Sequence, residues 1–237
     1  MSNVAIIFAG GVGRRMGAEV PKQFLKYEGK EVLVYTIETF QKSEQIDAIA
    51  VACLPDYIEF CLALVKKYEL TKVKWIVPGG NTGQESIFNG LDVVYQSGIT
   101  SGYAVISDGV RPLVTDKLIC DCISTAKKQG GAIAAVKAVE TAVYGKDGRV
   151  EKILDRERVL LIKAPQVFPI DKLYDIQKKA LGIGDNNNID TISLMTKYGY
   201  SGYGFVMSDY TNIKITTKQD FELFKAYKRM KNDVFAE

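Results

Sequence analysis

Apolar residues occur in short runs that alternate with stretches of helical periodicity. Predominantly apolar runs lie at 4–9, 48–52, 73–77, 103–106 and 132–136, and such runs are typical of strands that are buried on both faces of a parallel sheet. Over 57–68 and 118–126, apolar residues instead recur at spacings of three and four, as on one face of a helix. The alternation predicts an α/β fold with a doubly wound, mostly parallel sheet.

The alternation is interrupted at 140–158. Here charged residues surround a turn of sequence Gly-Lys-Asp-Gly at 145–148, and Val143 and Val150 can begin two short strands. Asp-Gly between two strands is a strong hairpin signal. We therefore predict a β-arm that protrudes from the main fold.

The rest of the chain resumes the α/β pattern. We predict a strand near Leu160, helices at 170–180 and 191–197, a strand at 213–216 and a last helix around Phe224, with a polar loop at 186–188. Neither an internal repeat nor a linker is visible. A single domain over 1–237, with the arm at about 138–159, is the expected organisation.

Composition removes several classes of function. The 31 basic and 28 acidic residues are spread along 237 positions, so no basic face for nucleic acid is expected. No apolar run approaches the roughly 18 residues that span a bilayer, and we expect a cytoplasmic protein without a membrane partner. Histidine is absent, which leaves carboxylates, cations, hydroxyls or metal-bound oxygen for any chemistry.

The four cysteines do not have the spacing of a zinc site or a redox pair. Three of them have aliphatic neighbours. We expect reduced thiols that are mostly buried.

A glycine-rich loop follows the first predicted strand. Glycines allow main-chain N–H groups to approach an anion closely, and the cations of the loop offset the charge of that anion. The pattern predicts a polyphosphate site. Its residues are Ala9-Gly10-Gly11-Val12-Gly13-Arg14-Arg15-Met16-Gly17, followed by Pro21-Lys22-Gln23-Phe24-Leu25.

Two familiar phosphate-binding loops and a purely structural turn fit this sequence less well. A dinucleotide loop needs a glycine where Met16 stands, and the second strand ends at 53–54 without a ribose-binding carboxylate. A Walker A loop needs Ser or Thr where Glu31 follows Gly-Lys. A glycine turn that only permits close packing does not explain the three cations.

The loop resembles the signature of the alcohol-phosphate cytidylyltransferases, whose acceptors include ribitol phosphate and methylerythritol phosphate. Further blocks that are similar to this family occur in the same order at 78–91, 108–112, 164–168 and 212–216. The resemblance covers nearly the whole chain. It implies transfer of CMP from CTP to an alditol phosphate, with release of pyrophosphate and with Mg²⁺ as cofactor. A catalytically silent nucleotide-binding protein is the competing hypothesis from another class.

The resemblance also assigns roles to residues. Arg15 and Lys22 correspond to cations that contact the triphosphate, and Lys214 corresponds to the lysine at the α-phosphate, so these three are the catalytic candidates. The nucleotide-binding candidates are Ala9, Gly10, Gly11, Gly13, Gly80, Asn81, Ser86 and Asp108. Of these, Gly80, Asn81 and Ser86 are assigned to the cytosine, although Ser86 could equally be a helix cap.

Asp108 follows an apolar strand, at the sheet edge where open α/β folds bind ligands. Its carboxylate suits Mg²⁺ or a ribose, and a loop cap is the alternative. Arg111 is expected either to brace this loop or to contact the acceptor phosphate.

By resemblance, the arm interlocks with a second subunit in a homodimer and contributes Thr141 and Arg156 to acceptor binding. A guanidinium is well shaped to hold a phosphomonoester through two hydrogen bonds.

The departures from the family collect at the acceptor end. Methylerythritol-phosphate enzymes usually have a threonine where this chain has Ala164, a Thr-Asp pair where it has Ile189-Asp190, and an aspartate where it has Thr211. They also usually have an arginine at the position of Gly83 and a histidine at that of Ser107. A pocket that binds hydroxyl groups discriminates strongly between hydroxyl patterns. We therefore favour ribitol 5-phosphate, hence a CDP-alditol for teichoic acid or capsule synthesis, with methylerythritol phosphate of isoprenoid synthesis as the alternative.

Overall fold

A computed structural model describes residues 2–11 and 20–234, with side chains as far as residue 230. The strands are β1 (Ser2–Ala9), β2 (Lys26–Tyr27), β3 (Lys30–Glu31), β4 (Ala48–Cys53), β5 (Val73–Pro78), β6 (Gly102–Asp108), β7 (Ala132–Lys137), β8 (Val143–Lys146), β9 (Arg149–Ile153), β10 (Leu160–Pro169) and β11 (Gly204–Met207). The helices are α1 (Val32–Lys42), α2 (Ile58–Lys67), α3 (Gly83–Gln96), α4 (Asp116–Gln129), α5 (Ile170–Gly182), α6 (Thr191–Lys197) and α7 (Lys218–Val234).

Seven strands form the central sheet in the order β11-β7-β10-β6-β1-β4-β5. Only β10 runs antiparallel to its neighbours, β6 and β7, and the other pairs are parallel. This confirms the predicted α/β class and the mostly parallel sheet.

Helices cover both faces of the sheet because successive side chains of a strand point to opposite sides. In β1, Ile7 packs with α1, α2 and α4, whereas Ile6 packs with α3, α5 and α6. Both side chains are fully buried, and burial of an aliphatic side chain of this size contributes roughly 1.5–3 kcal/mol. Helix α7 closes a third cluster, in which Phe224 packs against Tyr27 and Ile215.

Two details of the last third differ from the prediction. Residues 213–216 do not form a strand: Ile215 donates to the carbonyl of Val110 in the loop after β6 and packs in the cluster of Phe224, and the segment pairs with no strand of the sheet. Strand β11 was not predicted, since its four residues lie between glycine- and tyrosine-rich turns and carry no long apolar run.

The predicted arm is a two-stranded sheet of β8 and β9, separate from the central sheet. Asp147 and Gly148 have positive φ angles of 51° and 75°, as a tight two-residue hairpin turn requires. All residues of both strands are exposed, and Tyr144, Val150 and Ile153 are each more than 60% exposed.

The four cysteines are free, and Cys53, Cys61 and Cys122 are buried, as predicted. Within the described ranges, no helix is long and apolar enough to cross a membrane.

Candidate functional site

A cleft in two connected parts lies at the carboxyl ends of β1 and β6. We call the part beside the glycine loop the glycine chamber; it is lined by Phe8, Ala9, Gly10, Gly11, Lys22, Gln23, Gly80, Asn81, Thr82, Gly83, Ser86, Asp108, Val110 and Lys214. The other part, the glutamine chamber, holds about 280 Å³ and is lined by Phe8, Gly83, Gln84, Ile87, Ile106, Asp108, Arg111, Ile162, Lys163, Ala164, Gln166, Gln177, Asn188, Ile189, Asp190, Thr191, Leu194 and Lys214. Asp108 and Lys214 line both chambers.

The glycine chamber brings together the described residues that the sequence assigned to the nucleotide. Ala9 ends β1, Gly10 and Gly11 follow it, and all three line the chamber with Gly80 and Asn81 of the turn before α3. The buried side chain of Gln23 donates to the carbonyl of Ala9 at 2.7 Å, which fixes the segment of Lys22 beside the end of β1. Gly13 and Arg15 lie outside the described residues.

Ser86 organises the turn that precedes α3. Its hydroxyl accepts a hydrogen bond from the N–H of Gly80 at 3.0 Å and donates to the carbonyl of Thr82 at 2.9 Å. A Cβ atom on Gly10 or Gly79 would stand 3.0 Å from this hydroxyl, so glycine permits the close approach of the two loops. Ser86 is not the helix cap, because Thr82 accepts from the N–H of Glu85 in that role.

A polar loop that precedes α6 is bound to the same turn. Asn186 donates its amide to Glu85 Oε1 at 2.8 Å, and Glu85 Oε2 accepts from the N–H of Asn81 at 2.6 Å. Gln84 donates to the carbonyl of Asp185 and accepts from the N–H of Asn188. Loop 185–188 thereby helps to position Asn81, one of the residues assigned to the base.

At the junction of the chambers, Asp108 accepts from two cations. Arg111 Nε lies 2.7 Å from one carboxylate oxygen, and Lys214 Nζ lies 2.5 Å from the other. Arg111 also donates to the carbonyl of Asn212 at 2.9 Å. Of the two roles predicted for Arg111, this geometry matches the brace, which ties the loop after β6 to the segment that presents Lys214.

Charge and burial set the protonation of this cluster. Burial disfavours ionisation of Asp108, but Arg111 and Lys214 outweigh it and hold the pKa of the carboxyl below its ordinary value. Lys163, in the glutamine chamber, donates to the carbonyl of Asn212 at 3.2 Å. Burial and the charge of Arg111 lower the pKa of Lys163.

The junction offers one carboxylate as a hard ligand. Within the described part of the chain, no group of three or more Cys, Asp or Glu side chains could hold a metal by itself. Mg²⁺ is usually bound through one or two carboxylates together with substrate phosphates and water. Asp108 supplies a single carboxylate that lines both chambers, and its oxygens, which accept from Arg111 and Lys214, have further lone pairs that fit that mode.

Two predicted acceptor residues lie away from this cleft. Thr141 is an exposed residue just before β8, and Arg156 is an exposed residue after β9 that donates to the carbonyl of Val139. Neither lines a chamber of its own chain. Their assignment therefore depends on the predicted second subunit.

Sequence reasoning missed several residues of the glutamine chamber. Lys163, Gln166, Gln177 and Thr191 come from β10, α5 and α6. Gln166 stands inside the block at 164–168, which was a usable signal. Gln177 lies in an ordinary amphipathic helix, and nothing in the local pattern marks it.

Comparisons with known proteins show which family the sequence matches. The family model described as "IspD: 2-C-methyl-D-erythritol 4-phosphate cytidylyltransferase" matches residues 3–230. The chain is 42% identical over 228 residues to a ribitol-5-phosphate cytidylyltransferase of Streptococcus agalactiae serotype V, with 95% of each chain covered. It is 39% identical over 224 residues to a 2-C-methyl-D-erythritol 4-phosphate cytidylyltransferase of Clostridium novyi, with 93% of this chain and 94% of that protein covered.

A solved structure supports the fold. The crystal structure of 4-diphosphocytidyl-2C-methyl-D-erythritol synthase from Anaerococcus prevotii superposes with a TM-score of 0.83 at 27% identity, covering 96% of each chain. The chain is a CTP-dependent nucleotidyltransferase and belongs to the 2-C-methyl-D-erythritol 4-phosphate cytidylyltransferase family.

Proposed function

We propose that the protein transfers CMP from CTP to ribitol 5-phosphate, with release of pyrophosphate. The observation that carries this proposal is the cleft, in which a glycine-lined chamber and a polar chamber meet at the Asp108–Lys214 ion pair. CTP takes the glycine chamber, and the alditol phosphate takes the glutamine chamber. Several curated relatives at 42–43% identity are ribitol-5-phosphate cytidylyltransferases, which supports this acceptor over methylerythritol phosphate.

The reaction needs positioned charge rather than a protein nucleophile. An oxygen of the acceptor phosphate attacks the α-phosphorus of CTP, a new P–O bond forms, and the bond to the β-phosphate oxygen breaks with its electron pair leaving on pyrophosphate. Lys214 offsets charge at the α-phosphate, and Arg15 and Lys22 offset charge on the leaving pyrophosphate. Cations fixed before the reaction stabilise such developing charge without reorganisation.

Asp108 has two functions in this scheme. It orients Lys214 through their ion pair, and it is the carboxylate that would hold Mg²⁺ together with the phosphates. Bound Mg²⁺ supplies further neutralisation of the phosphate oxygens. Arg111 keeps the carboxylate ionised and fixed in place.

We also propose a homodimer in which the arm of one subunit completes the cleft of the other. An isolated two-stranded hairpin is only marginally stable in water, and this one exposes Tyr144, Val150 and Ile153. Packing against a partner would bury these side chains. Thr141 and Arg156 would then reach the acceptor phosphate from across the interface.

The free cysteines bear on the cellular compartment of the protein. Free cysteines are typical of a reducing compartment, and we propose that the enzyme works in the cytoplasm and supplies a CDP-alditol for teichoic acid or capsule synthesis.

A competition experiment tests the acceptor. The protein, Mg²⁺ and limiting CTP are mixed with equal concentrations of ribitol 5-phosphate and 2-C-methyl-D-erythritol 4-phosphate, and the two CDP products are separated by mass. We expect the ribitol product to dominate. A dominant methylerythritol product would overturn the proposed acceptor and leave the cytidylyl transfer in place.

A further inference from the structure

The glutamine and threonine side chains of the glutamine chamber fall into two groups. Gln84 and Gln166 are committed to the protein itself: Gln84 binds the loop residues Asp185 and Asn188, and Gln166 Oε1 accepts from the N–H of Ile192 at 2.9 Å. Gln177 and Thr191 are 1% and 3% exposed, yet Gln177 Oε1 and Thr191 Oγ1 have no hydrogen-bond partner in the structure.

Buried polar atoms without a partner are rare in folded proteins, and each costs about 1–3 kcal/mol. Here two of them line the same chamber. Gln177 lies in the middle of α5, and Thr191 is the first residue of α6. The two unpaired oxygens therefore come from different helices, and the packing of one helix cannot explain both of them. A ligand that hydrogen-bonds both atoms would remove the cost.

The sheet register relates Thr191 to Asp108. Gln166 is paired with Ile106 in the sheet, two residues before Asp108, which is about 6–7 Å along a strand. Thr191 precedes Ile192, whose N–H binds Gln166, so it lies near this position of the sheet. The cations Arg111, Lys163 and Lys214 and the carboxylate of Asp108 line the same chamber as Gln177 and Thr191.

We propose that Gln177 and Thr191 form a subsite for the terminal hydroxyl groups of an open-chain polyol phosphate, and that they select the length and hydroxylation of the acceptor. This inference rests on the proposed function. In this arrangement the acceptor phosphate lies beside the cations Arg111, Lys163 and Lys214, where it meets the α-phosphate of CTP. Hydroxyl groups at the other end of the acceptor donate to Gln177 Oε1 and exchange hydrogen bonds with Thr191 Oγ1, because a hydroxyl is both a donor and an acceptor.

The test uses near-isosteric variants that delete the hydrogen-bonding atoms. Thr191→Val and Gln177→Met are compared with the wild type on ribitol 5-phosphate and on erythritol 4-phosphate, which is one hydroxylated carbon shorter. We expect each variant to lower kcat/KM for ribitol 5-phosphate by about tenfold to a hundredfold, through KM, which is the scale for a lost hydrogen bond inside a pocket. The KM for CTP and kcat/KM for erythritol 4-phosphate should change little.

Stability separates a binding role from a structural one. Since Thr191→Val removes an unpaired buried hydroxyl, its melting temperature should stay equal to that of the wild type or rise. Thr125→Val and Gln129→Met, both on α4 and outside the cleft, are matched controls that should keep wild-type kinetics. Thr191→Ser retains the hydroxyl and should retain ribitol 5-phosphate turnover, which keeps the test valid should the valine variant fail to fold.

The outcomes distinguish this inference from the proposed function. Unchanged KM values for the acceptor in both folded variants, or equal losses on the two acceptors, would overturn the subsite while cytidylyl transfer stands. Wild-type turnover with methylerythritol phosphate but not with ribitol 5-phosphate would overturn the proposed acceptor. In that case the KM of methylerythritol phosphate would be measured with the same variants: a raised KM would support the subsite, and an unchanged KM would overturn it. Lack of turnover with every alditol phosphate would overturn both.

Discussion

The buried ion pair at the junction of the two chambers permits a quantitative prediction for Arg111→Met. The substitution keeps an unbranched side chain of similar length but removes the hydrogen bonds to Asp108 at 2.7 Å and to the carbonyl of Asn212 at 2.9 Å. Hydrogen bonds to charged groups contribute about 1.5–3 kcal/mol each, and breaking a buried ion pair typically costs about 3–5 kcal/mol. Both residues are less than one-tenth exposed, so solvent screening reduces these values little.

Lys214 remains beside Asp108 in this variant, which places the expected loss at the lower end, about 3 kcal/mol in the free energy of unfolding. For a chain of this size, that corresponds to a decrease of about 6–12 °C in melting temperature. Urea denaturation followed by circular dichroism measures the free energy directly. Lys128→Met, which removes an exposed cation of α4, should change it by about 0.5 kcal/mol or less.

The pH dependence of this difference has a defined sign. Because the folded-state pKa of Asp108 lies below its ordinary value of 3.8, the stabilisation is complete above that value and is lost as the pH falls through the folded-state pKa. The difference between the wild type and Arg111→Met should therefore be the same at pH 7 and pH 5. A loss below 1 kcal/mol, or a difference that vanishes by pH 5, would refute this account of the ion pair.

Four further predictions address the chemistry. Lys22→Ala should lower kcat by about 10²–10³-fold, as loss of one contact to developing charge does, and an unchanged rate of pyrophosphate release would exclude that role. Gly80→Ala should raise the KM for CTP roughly tenfold or more, because a Cβ atom there would stand 2.2 Å from Glu85 Cβ. Gly182→Ala is the control: a Cβ atom at Gly182 meets open space, and this variant should match the wild type in initial rates. The pKa of Lys163 lies below its ordinary 10.5, so kcat/KM for the acceptor should fall at alkaline pH as Lys163 loses its proton. Lys163→Arg should move this alkaline decrease in kcat/KM to higher pH, because arginine stays protonated. Identical pH profiles for the two proteins would contradict this role. Arg156→Ala should raise the KM of the acceptor and not that of CTP. At acceptor concentrations below that raised KM, its mixed dimers with Lys22→Ala should be more active than either parent; mixtures no more active than the parents would argue against an arm acting across subunits.

The sheet and the nucleotide side of the site could be predicted because their signals are local. The apolar run at 4–9 and the glycines after it required only that a buried strand lead into a loop, and the structure has β1 and the glycine chamber there. The hairpin was predictable from Asp147-Gly148, whose backbone conformation only a few residue types adopt readily.

The acceptor side could not be predicted in the same way. Gln177 and Thr191 are distant in sequence from Asp108 and share a chamber with it only because β10 pairs with β6 and α6 packs beside that strand. The segment at 213–216 was predicted as a strand. In the structure it lies beside the loop after β6, where Ile215 donates to the carbonyl of Val110 and packs with Phe224, and the local sequence does not indicate these distant contacts.

The proposed activity is transfer of CMP from CTP to ribitol 5-phosphate in one cleft. The direct measurement is the amount of pyrophosphate and of CDP-ribitol formed when the purified protein, Mg²⁺ and CTP are incubated with and without ribitol 5-phosphate. We expect equal amounts of the two products, dependent on the acceptor and absent when UTP, ATP or GTP replaces CTP. Pyrophosphate release without CDP-ribitol, or product formation with another nucleotide and not with CTP, would contradict the claim.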